Sequence, residues 1–570
     1  MHARLRRLVT AVALLGLACA GLPAQAASAA PAAVETTADT SYYPPDDFCL
    51  GVCFDILPPG QNGNATLVDI LGNQTLGTYP RHSRDQLDRY ASLISGYTGL
   101  TEEQVAKFFN DASFGVPPGQ VESTTRPRSD VTIVRDKETG VPHITGTTRE
   151  GTMFGAGYAG AQDRLWLMDV LRHLGRGELT SFVGGAPGNR ALEQSVWRNS
   201  PYTEEDLEAQ IERLRNSGPR GAQLYSDVQN YVAGINAYID HCMAHRNCPG
   251  EYVLTGHLDA ITNKGGPKKF KPADLIAIAG VIGGLFGGGG GAEMQSALVR
   301  VAARAKYGTA EGDRVWEAFR SQNDPETVLT LHDGQSFPFG QAPAGATGVV
   351  LPDPGTARPV DVTENEEGSA RTMEAAGADP LAGLTVEPNR PGMSNAVVVS
   401  AAKSATGHPI AVFGPQTGYF APQLLMLQEL SGPGIRARGA AFAGLSFYVL
   451  LGRGTDYAWS ATSATVDITD TYAVTLCEPG GGTPTLSSDH YLYRGQCIPM
   501  ETLRKRNSWK PNTADPMPAG SYDLVIKRTK YGLVTWRGMV NGVPTAFTTL
   551  RSTYLHEADS AIGFQMFNDP

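Results

Sequence analysis

The sequence predicts an α/β protein, and three stretches carry that reading. Val131-Thr132-Ile133-Val134 alternates apolar and polar residues, the period of a half-buried strand. Leu167, Val170, Leu171 and Leu174 recur at the i, i+3, i+4, i+7 spacing that gives a helix one apolar face. Asn395-Ala396-Val397-Val398-Val399 is a short apolar run entered through Ser394, and it reads as a strand buried in the fold.

Taken in chain order, the first element is a targeting segment. Arg4, Arg6 and Arg7, the apolar run from Leu8 to Leu22, and the small residues Ala24-Gln25-Ala26 and Ala27-Ser28-Ala29 compose a secretion signal over residues 1–29. The run is too short and too early for a membrane span, and Gly16 stands where a lipid-attachment motif at Cys19 needs Leu. A released protein, extracellular or periplasmic, is the expectation. Residues 30–125 form an N-terminal extension, polar and Pro-rich at first, with one helix expected over 101–111 behind the start signal Thr101-Glu102-Glu103.

After Val131–Val134 and a turn, Val141-Pro142-His143-Ile144 gives a second extended piece. The helix of the Leu167 stripe is expected to open at Ala161-Gln162-Asp163-Arg164 and to stop at Gly175 and Gly177. Two further amphipathic helices fit residues 203–242. The glycine run 283–291 has neither the G-K-[ST] ending nor the strand context of a phosphate cradle, so it reads as a loop before a helix over Glu293 to Tyr307. Residues 345–393 are rich in Gly, Ala, Pro, Glu and Thr. That is linker composition, and its abrupt end at Ser394 is also what a removable spacer looks like.

Composition narrows the function. The formal charge is −10 for the full chain, and loss of the three signal arginines takes it to −13 (−10 − 3), which argues against nucleic acid as a partner. Cys19 leaves with the signal, and six cysteines remain as Cys49/Cys53, Cys242/Cys248 and Cys477/Cys497. An even count in a secreted chain favours disulfides; pairing between sequence neighbours is expected, although six cysteines permit fifteen connectivities.

Ser394 is the candidate nucleophile. A serine hydroxyl needs a base: His, Lys, or the α-amine of the same residue once the chain is cut before it. No Gly-x-Ser-x-Gly elbow occurs in the 570 residues. Ser400-Ala401-Ala402-Lys403 spells S-x-x-K, but the accompanying S-x-N and K-T-G elements do not follow it; the nearest approach is Lys530-Tyr531-Gly532.

Several motifs together resemble the penicillin acylase family of N-terminal nucleophile hydrolases. Val141–Ile144, Gly157-Tyr158, Ala161-Gln162-Asp163-Arg164-Leu165 and the helical tract to Lys306-Tyr307-Gly308 are similar to its small subunit. Ser394-Asn395, Gly414-Pro415-Gln416, Ala421-Pro422 and Ala458-Trp459-Ser460-Ala461-Thr462 are similar to the start of its large subunit. The resemblance implies a four-layer αββα sandwich with a helical small-subunit domain. It divides the chain into 126–344 (small subunit), 345–393 (spacer) and 394–570 (first part of the large subunit), with a heterodimer cut from one precursor.

The resemblance also implies roles. Cleavage falls between Met393 and Ser394, and Ser394 then serves as nucleophile and, through its freed amine, as base. Gln416 lies beside it, and the backbone N–H of Ser463 is the first oxyanion donor, at a position where relatives often carry Ala. Thr417, Leu451, Ala461 and Phe286 line the pocket for an N-acylated small molecule such as a β-lactam, an acyl-homoserine lactone or a lipopeptide. Glu293, Asp467, the carbonyl of Thr469 and Asp470 match a structural Ca²⁺ site joining the two subunits, and oxygen donors suit that ion. Only 177 residues run from Ser394 onward (570 − 394 + 1), and the family's second oxyanion donor, an asparagine side chain, has no counterpart. Either the sequence is the first part of a longer protein, or the product is a catalytically deficient relative that binds amides without hydrolysing them.

Overall fold

The computed structural model describes residues 47–49, 52–55, 63–96, 98–101, 104, 108–286, 289–318, 350–371, 394–405, 407–414, 423–462 and 466–569. The chain divides into Met1–Tyr42 and Tyr43–Pro570, and all described residues lie in the second unit.

The extension is not featureless. Strand β1 (Phe54–Asp55) pairs with β2 (Asn110–Asp111), and helices α1 (Leu67–Leu76) and α2 (Asp85–Gly96) lie between them in sequence. Of the expected helix over 101–111, residues 102, 103 and 105–107 lie outside the described residues, Gln104 and Phe108 are helical, and the last two positions are strand β2. Thr66 caps α1 with a reciprocal box to Asp69, a signal present in the sequence but not read from it.

Strands β3 (Val121–Arg128), β4 (Val131–Asp136) and β5 (Pro142–Gly146) form a meander. The alternation expected for β4 is present: Val131, Ile133 and Arg135 are buried and their neighbours less so. Helix α3 (Arg149–Gly175) begins twelve residues before the expected start, capped by Thr148, and the residue expected to open it, Arg164, is instead a break in its middle. The chain continues through α4 (Leu179–Val183), α5 (Pro187–Asn199), α6 (Glu204–Arg215), α7 (Gly218–His245), α8 (Glu251–Leu254), α9 (Pro272–Phe286), α10 (Glu293–Tyr307) and α11 (Thr309–Ala318). The helices expected over 203–242 are α6 and α7, and α10 has the expected bounds.

The tract expected as spacer is ordered in its first half. Strands β6 (Arg358–Pro359) and β7 (Thr363–Gly368) pair with strands that follow Ser394, so 350–371 belongs to the fold. Residues 372–393 lie outside the described residues. Strands β8 (Asn395–Val399) and β9 (Ile410–Gly414) form a hairpin. Strands β10 (Leu425–Gly432), β11 (Ile435–Phe442), β12 (Leu451–Arg453) and β13 (Ala458–Trp459) complete a seven-stranded sheet with β5, β4 and β3, in the order β13-β12-β11-β10-β5-β4-β3. Here β10 lies parallel to β5, so the sheet joins chain from either side of Ser394.

A second sheet is built from β14 (Thr469–Cys477), β15 (His490–Tyr493), β16 (Gln496–Pro499), β17 (Glu501–Trp509), β18 (Gly520–Thr529), β19 (Gly532–Val540) and β20 (Val543–Arg551), followed by helix α12 (Asp559–Phe567). Helix α3 packs on β4, β5 and β10, and α4 and α5 pack on β17, β18 and β19. One apolar core runs from Ile133 and Ile144 of the first sheet, through Met153, Tyr231 and Ile278 of the helices, to Tyr522, Leu524 and Ile526 of the second. The mixed α/β class with two large sheets and helical layers is thus present. The three sequence-near cysteine pairs are disulfides.

Candidate active site

The first-sheet face away from α3 carries Leu425, Leu427 and Glu429 on β10, Arg438 and Ala440 on β11, and Leu451 and Arg453 on β12, because strand side chains alternate. Its apolar part packs Val141, Leu425, Leu427, Ala440 and Leu451 together, so the candidate pocket residue Leu451 sits in a small core cluster. Its polar part is closed by the extension. Arg453 donates to Ala112 O at 2.9 Å and pairs with Asp47 at 2.8 Å. Its guanidinium also covers the buried Phe114 ring at 4.1 Å, a cation–π contact.

Ser394 stands half-buried at the head of β8. The β8–β9 register sets Asn395, the residue after Ser394, opposite Gly414. Met393, Gln416, Thr417 and Ser463 lie outside the described residues, as does the side chain of Phe286 at the end of α9. Ala461 is exposed. The expectation of a buried strand is corrected: Val397 and Val398 are 61% and 65% exposed, as is the facing Val412 at 64%. Among the described residues β8 and β9 pair only with each other, so neither face nor outer edge is covered by another strand.

Of the four expected cation ligands, Glu293, Asp467 and Thr469 meet the 290–293 segment at the start of α10, and Asp470 lies nearby. Gly291 N–H donates to Thr469 O at 2.9 Å and to Glu293 Oε1 at 3.2 Å, while Thr471 Oγ1 donates to Glu293 Oε2 at 2.9 Å. Gly290 has φ +75°, and a Cβ there would sit 1.8 Å from Asp467 Oδ1, so glycine is what lets this loop approach. Burial first, then the negative charges of Asp467 and Glu293, hold the Asp470 carboxyl above its ordinary range. The donor chemistry fits a hard cation. Among the described residues, however, no three His, Cys, Asp or Glu side chains stand close enough to hold a metal as they are oriented.

Sequence reasoning missed one buried group between α3 and the first sheet. Arg164, at the break in α3, is fully buried and donates from Nε to Gln423 O at 2.8 Å, immediately after loop 415–422. Its signal was the charged Asp163-Arg164 pair interrupting an otherwise apolar helix face.

Comparison with known proteins identifies the family. Residues 130–570 match the family model for penicillin amidase. The chain is 27% identical to penicillin G acylase of Escherichia coli over 404 residues, 66% of this chain and 44% of that protein, so it spans less than half the length of this relative. A solved structure of a thermostable penicillin G acylase from Alcaligenes faecalis, 23% identical, aligns over 37% of this chain and 98% of its own, with a TM-score of 0.29. Among the described residues no helix is long and apolar enough to cross a membrane. With the family model spanning both sheets and the helical tract, the chain belongs to the penicillin amidase family.

Proposed function

We propose that this chain is the self-processing precursor, in whole or part, of a secreted acylase that hydrolyses the amide bond of N-acylated small molecules with Ser394 as nucleophile. The observation that carries the reading is the match over 130–570, with Asn395, next to Ser394, paired with Gly414. In the first step Ser394 Oγ attacks the Met393 carbonyl, the peptide C–N bond breaks, and the acyl group passes to oxygen. Water hydrolyses that ester and leaves a free α-amine on Ser394.

An α-amine has an unperturbed pKa of about 8, so near neutral pH a useful fraction accepts the hydroxyl proton. Oγ then attacks the substrate carbonyl, the proton passes to the departing amine, and water releases the acyl group from the serine ester. The backbone N–H of Ser463 stabilises the oxyanion, a contribution of about 10²- to 10³-fold per donor. Gln416 orients the amine, and Leu451, Thr417, Ala461 and Phe286 form the acyl pocket. β-Lactams, acyl-homoserine lactones and lipopeptides are the substrate classes to try. Removal of the spacer would begin after Arg371, because 350–371 is held in the second sheet.

Intact mass and N-terminal sequencing of the secreted protein are expected to show a new terminus Ser-Asn-Ala-Val-Val-Val, lost in Ser394→Ala. An uncut chain indifferent to that substitution overturns the mechanism. The exposed faces of β8 and β9 favour a second reading, a binding protein deficient in turnover, and the absence of Ser394-dependent hydrolysis of chromogenic N-acyl p-nitroanilides by the processed protein would select it.

We further propose that Glu293, Asp467, Asp470 and Thr469 O hold a structural Ca²⁺, their carboxylates turning inward around it. Added Ca²⁺ is then expected to raise the melting temperature, by linkage, and Glu293→Gln to abolish that rise. An unchanged melting temperature in saturating Ca²⁺ rejects the site.

A further inference from the structure

We propose that the cavity between the C-terminal end of α3, α4, the chain after α8 and β17 binds a compact dianion, a phosphate monoester or a small dicarboxylate, through His173, His257 and Lys268. The proposal is independent of the acylase reading. The cavity measures about 310 Å³, the size of a small-molecule site.

One wall is a stack of three rings. Phe182 lies parallel to His173 with ring centroids 3.9 Å apart, and its other face takes His257 at 4.7 Å. Each imidazole is oriented by a carbonyl: His173 Nδ1–H donates to Asp169 O and His257 Nε2–H donates to Phe182 O, both at 2.7 Å. A carbonyl only accepts, so the tautomer is set at both rings. The remaining nitrogens, His173 Nε2 and His257 Nδ1, carry the lone pair of the neutral imidazole. Among the described residues neither has a hydrogen-bond partner, and both rings line the cavity.

Most charges of the wall are matched. Arg172 donates from Nε to Asp169 at 3.0 Å, Lys505 pairs with Glu178, and Arg506 pairs with Asp523 at 3.1 Å. Burial opposes the Glu178 charge, but the bond to Lys505 and the charges of Lys505, His173 and Arg176 hold its carboxyl below the ordinary range. Lys268, on an exposed stretch of the loop after α8, is the lining cation with no acidic partner among the described residues. The wall thus holds more cations than carboxylates, on a chain whose formal charge is −10.

A metal ion does not fit this arrangement. The two imidazoles stand on opposite faces of Phe182, so their unpartnered nitrogens cannot meet on one ion, and among the described residues no three ligating side chains surround one point. A dianion fits because its oxygens are spread apart. One oxygen can take a hydrogen from each side of the Phe182 ring while Lys268 supplies fixed charge, which gives charge-assisted bonds. For this each imidazole gains a proton on its unpartnered nitrogen. The charged groups that share the wall with them are Asp169 and Arg172 of α3, Glu178 before α4, Lys268, and Lys505 and Arg506 of β17. Binding is therefore coupled to proton uptake.

Calorimetric titration of the full-length protein with inorganic phosphate and with succinate, at fixed ionic strength, tests the site. Saturable binding is expected, with an apparent enthalpy that differs between buffers of low and high ionisation heat, as proton uptake requires. Tighter binding of phosphate assigns the phosphate monoester, and tighter binding of succinate the dicarboxylate. Lys268→Ala is expected to weaken binding about tenfold, the loss of one charge-assisted hydrogen bond, whereas Lys264→Ala, the same charge change at an exposed position of the same loop, leaves it unchanged. His173→Gln is expected to reduce the buffer dependence; where that variant does not fold, the lysine pair decides. No saturation by either probe in the millimolar range, equal weakening in the two lysine variants, or one enthalpy in all buffers overturns the proposal.

Discussion

His143 is buried where β5 meets β10, with Nδ1 2.7 Å from Glu429 Oε2 and Nε2 3.8 Å from Asp136 Oδ2. Burial disfavours the imidazolium, but the Glu429 charge and the hydrogen bonds to Asp136 and Glu429 outweigh it, with Arg438 opposing, and the His143 pKa is raised. The proton therefore binds more tightly in the folded protein than in the unfolded chain. Its stabilisation is fully present below the unfolded value of about 6.5 and is lost as pH rises through the higher folded value. Asp55, pushed up to about 6 chiefly by burial, titrates at the lower edge of that window, and His82, where burial is outweighed by Asp85 and Glu122 so that the pKa is raised, adds a slope of the same sign. A melting temperature that falls as pH is raised from about 6.5 to 9 is expected for the wild type. His143→Gln should melt lower at pH 6 and show a shallower slope; an identical slope in the variant removes His143 as a source.

At the scale of elements, the contact between α3 and α7 shows what was and was not legible. Period-2 alternation gave β4, amphipathic patterning gave α6 and α7, and the bounds of α10 were read correctly, because each carries its own local pattern. The first half of α3 was missed because Gly151, Gly155, Gly157 and Gly160 hide its periodicity. Their reason is tertiary. A Cβ at Gly157 would lie 1.9 Å from Tyr231 O on α7, and one at Gly234 would lie 2.0 Å from Phe154 O on α3, so the two helices meet backbone to backbone. Of the candidate site, strand β8 and the Glu293–Thr469 meeting were legible from motifs, while the pairing of β8 with β9 and its exposure were not. Arg164 was not, since its role depends on a break that only packing reveals. Gly157→Ala is expected to cost about 3 kcal/mol, the upper range for overpacking, because the obstacle is backbone and not a mobile side-chain end. Gly218→Ala, where added carbon meets nothing within 4 Å but φ is +83°, tests strain alone and should cost less. Urea unfolding of the two variants decides; equal losses reject the close-packing account.

For the whole molecule, the second sheet depends on a segment whose composition reads as linker. β18 and β19 pair only beside their turn, at Arg528–Leu533 and Thr529–Gly532. Beyond that they splay, and residues 358–368 fill the opening: β6 pairs with β19, β7 pairs with β18, Val360 N–H donates to Thr535 O, and Val525 N–H donates to Val362 O. Val362 is 1% exposed within the main core, and Ser369 Oγ accepts from Trp509 Nε1 at 3.1 Å. Without this wedge, two central strands lose ladder partners in the interior, where unpaired N–H and C=O groups are costly. On the proposed self-processing, the segment removed would fall within 372–393 and not within 350–371. Deleting 372–392 is expected to leave the melting temperature of the uncleaved Ser394→Ala protein nearly unchanged, whereas Val362→Asp, which places a charge in the core, should lower it by several degrees or prevent folding. Mass spectrometry of the processed protein should accordingly find 350–371 retained on the fragment that precedes Ser394, and its loss without loss of folded protein would show that the wedge is dispensable.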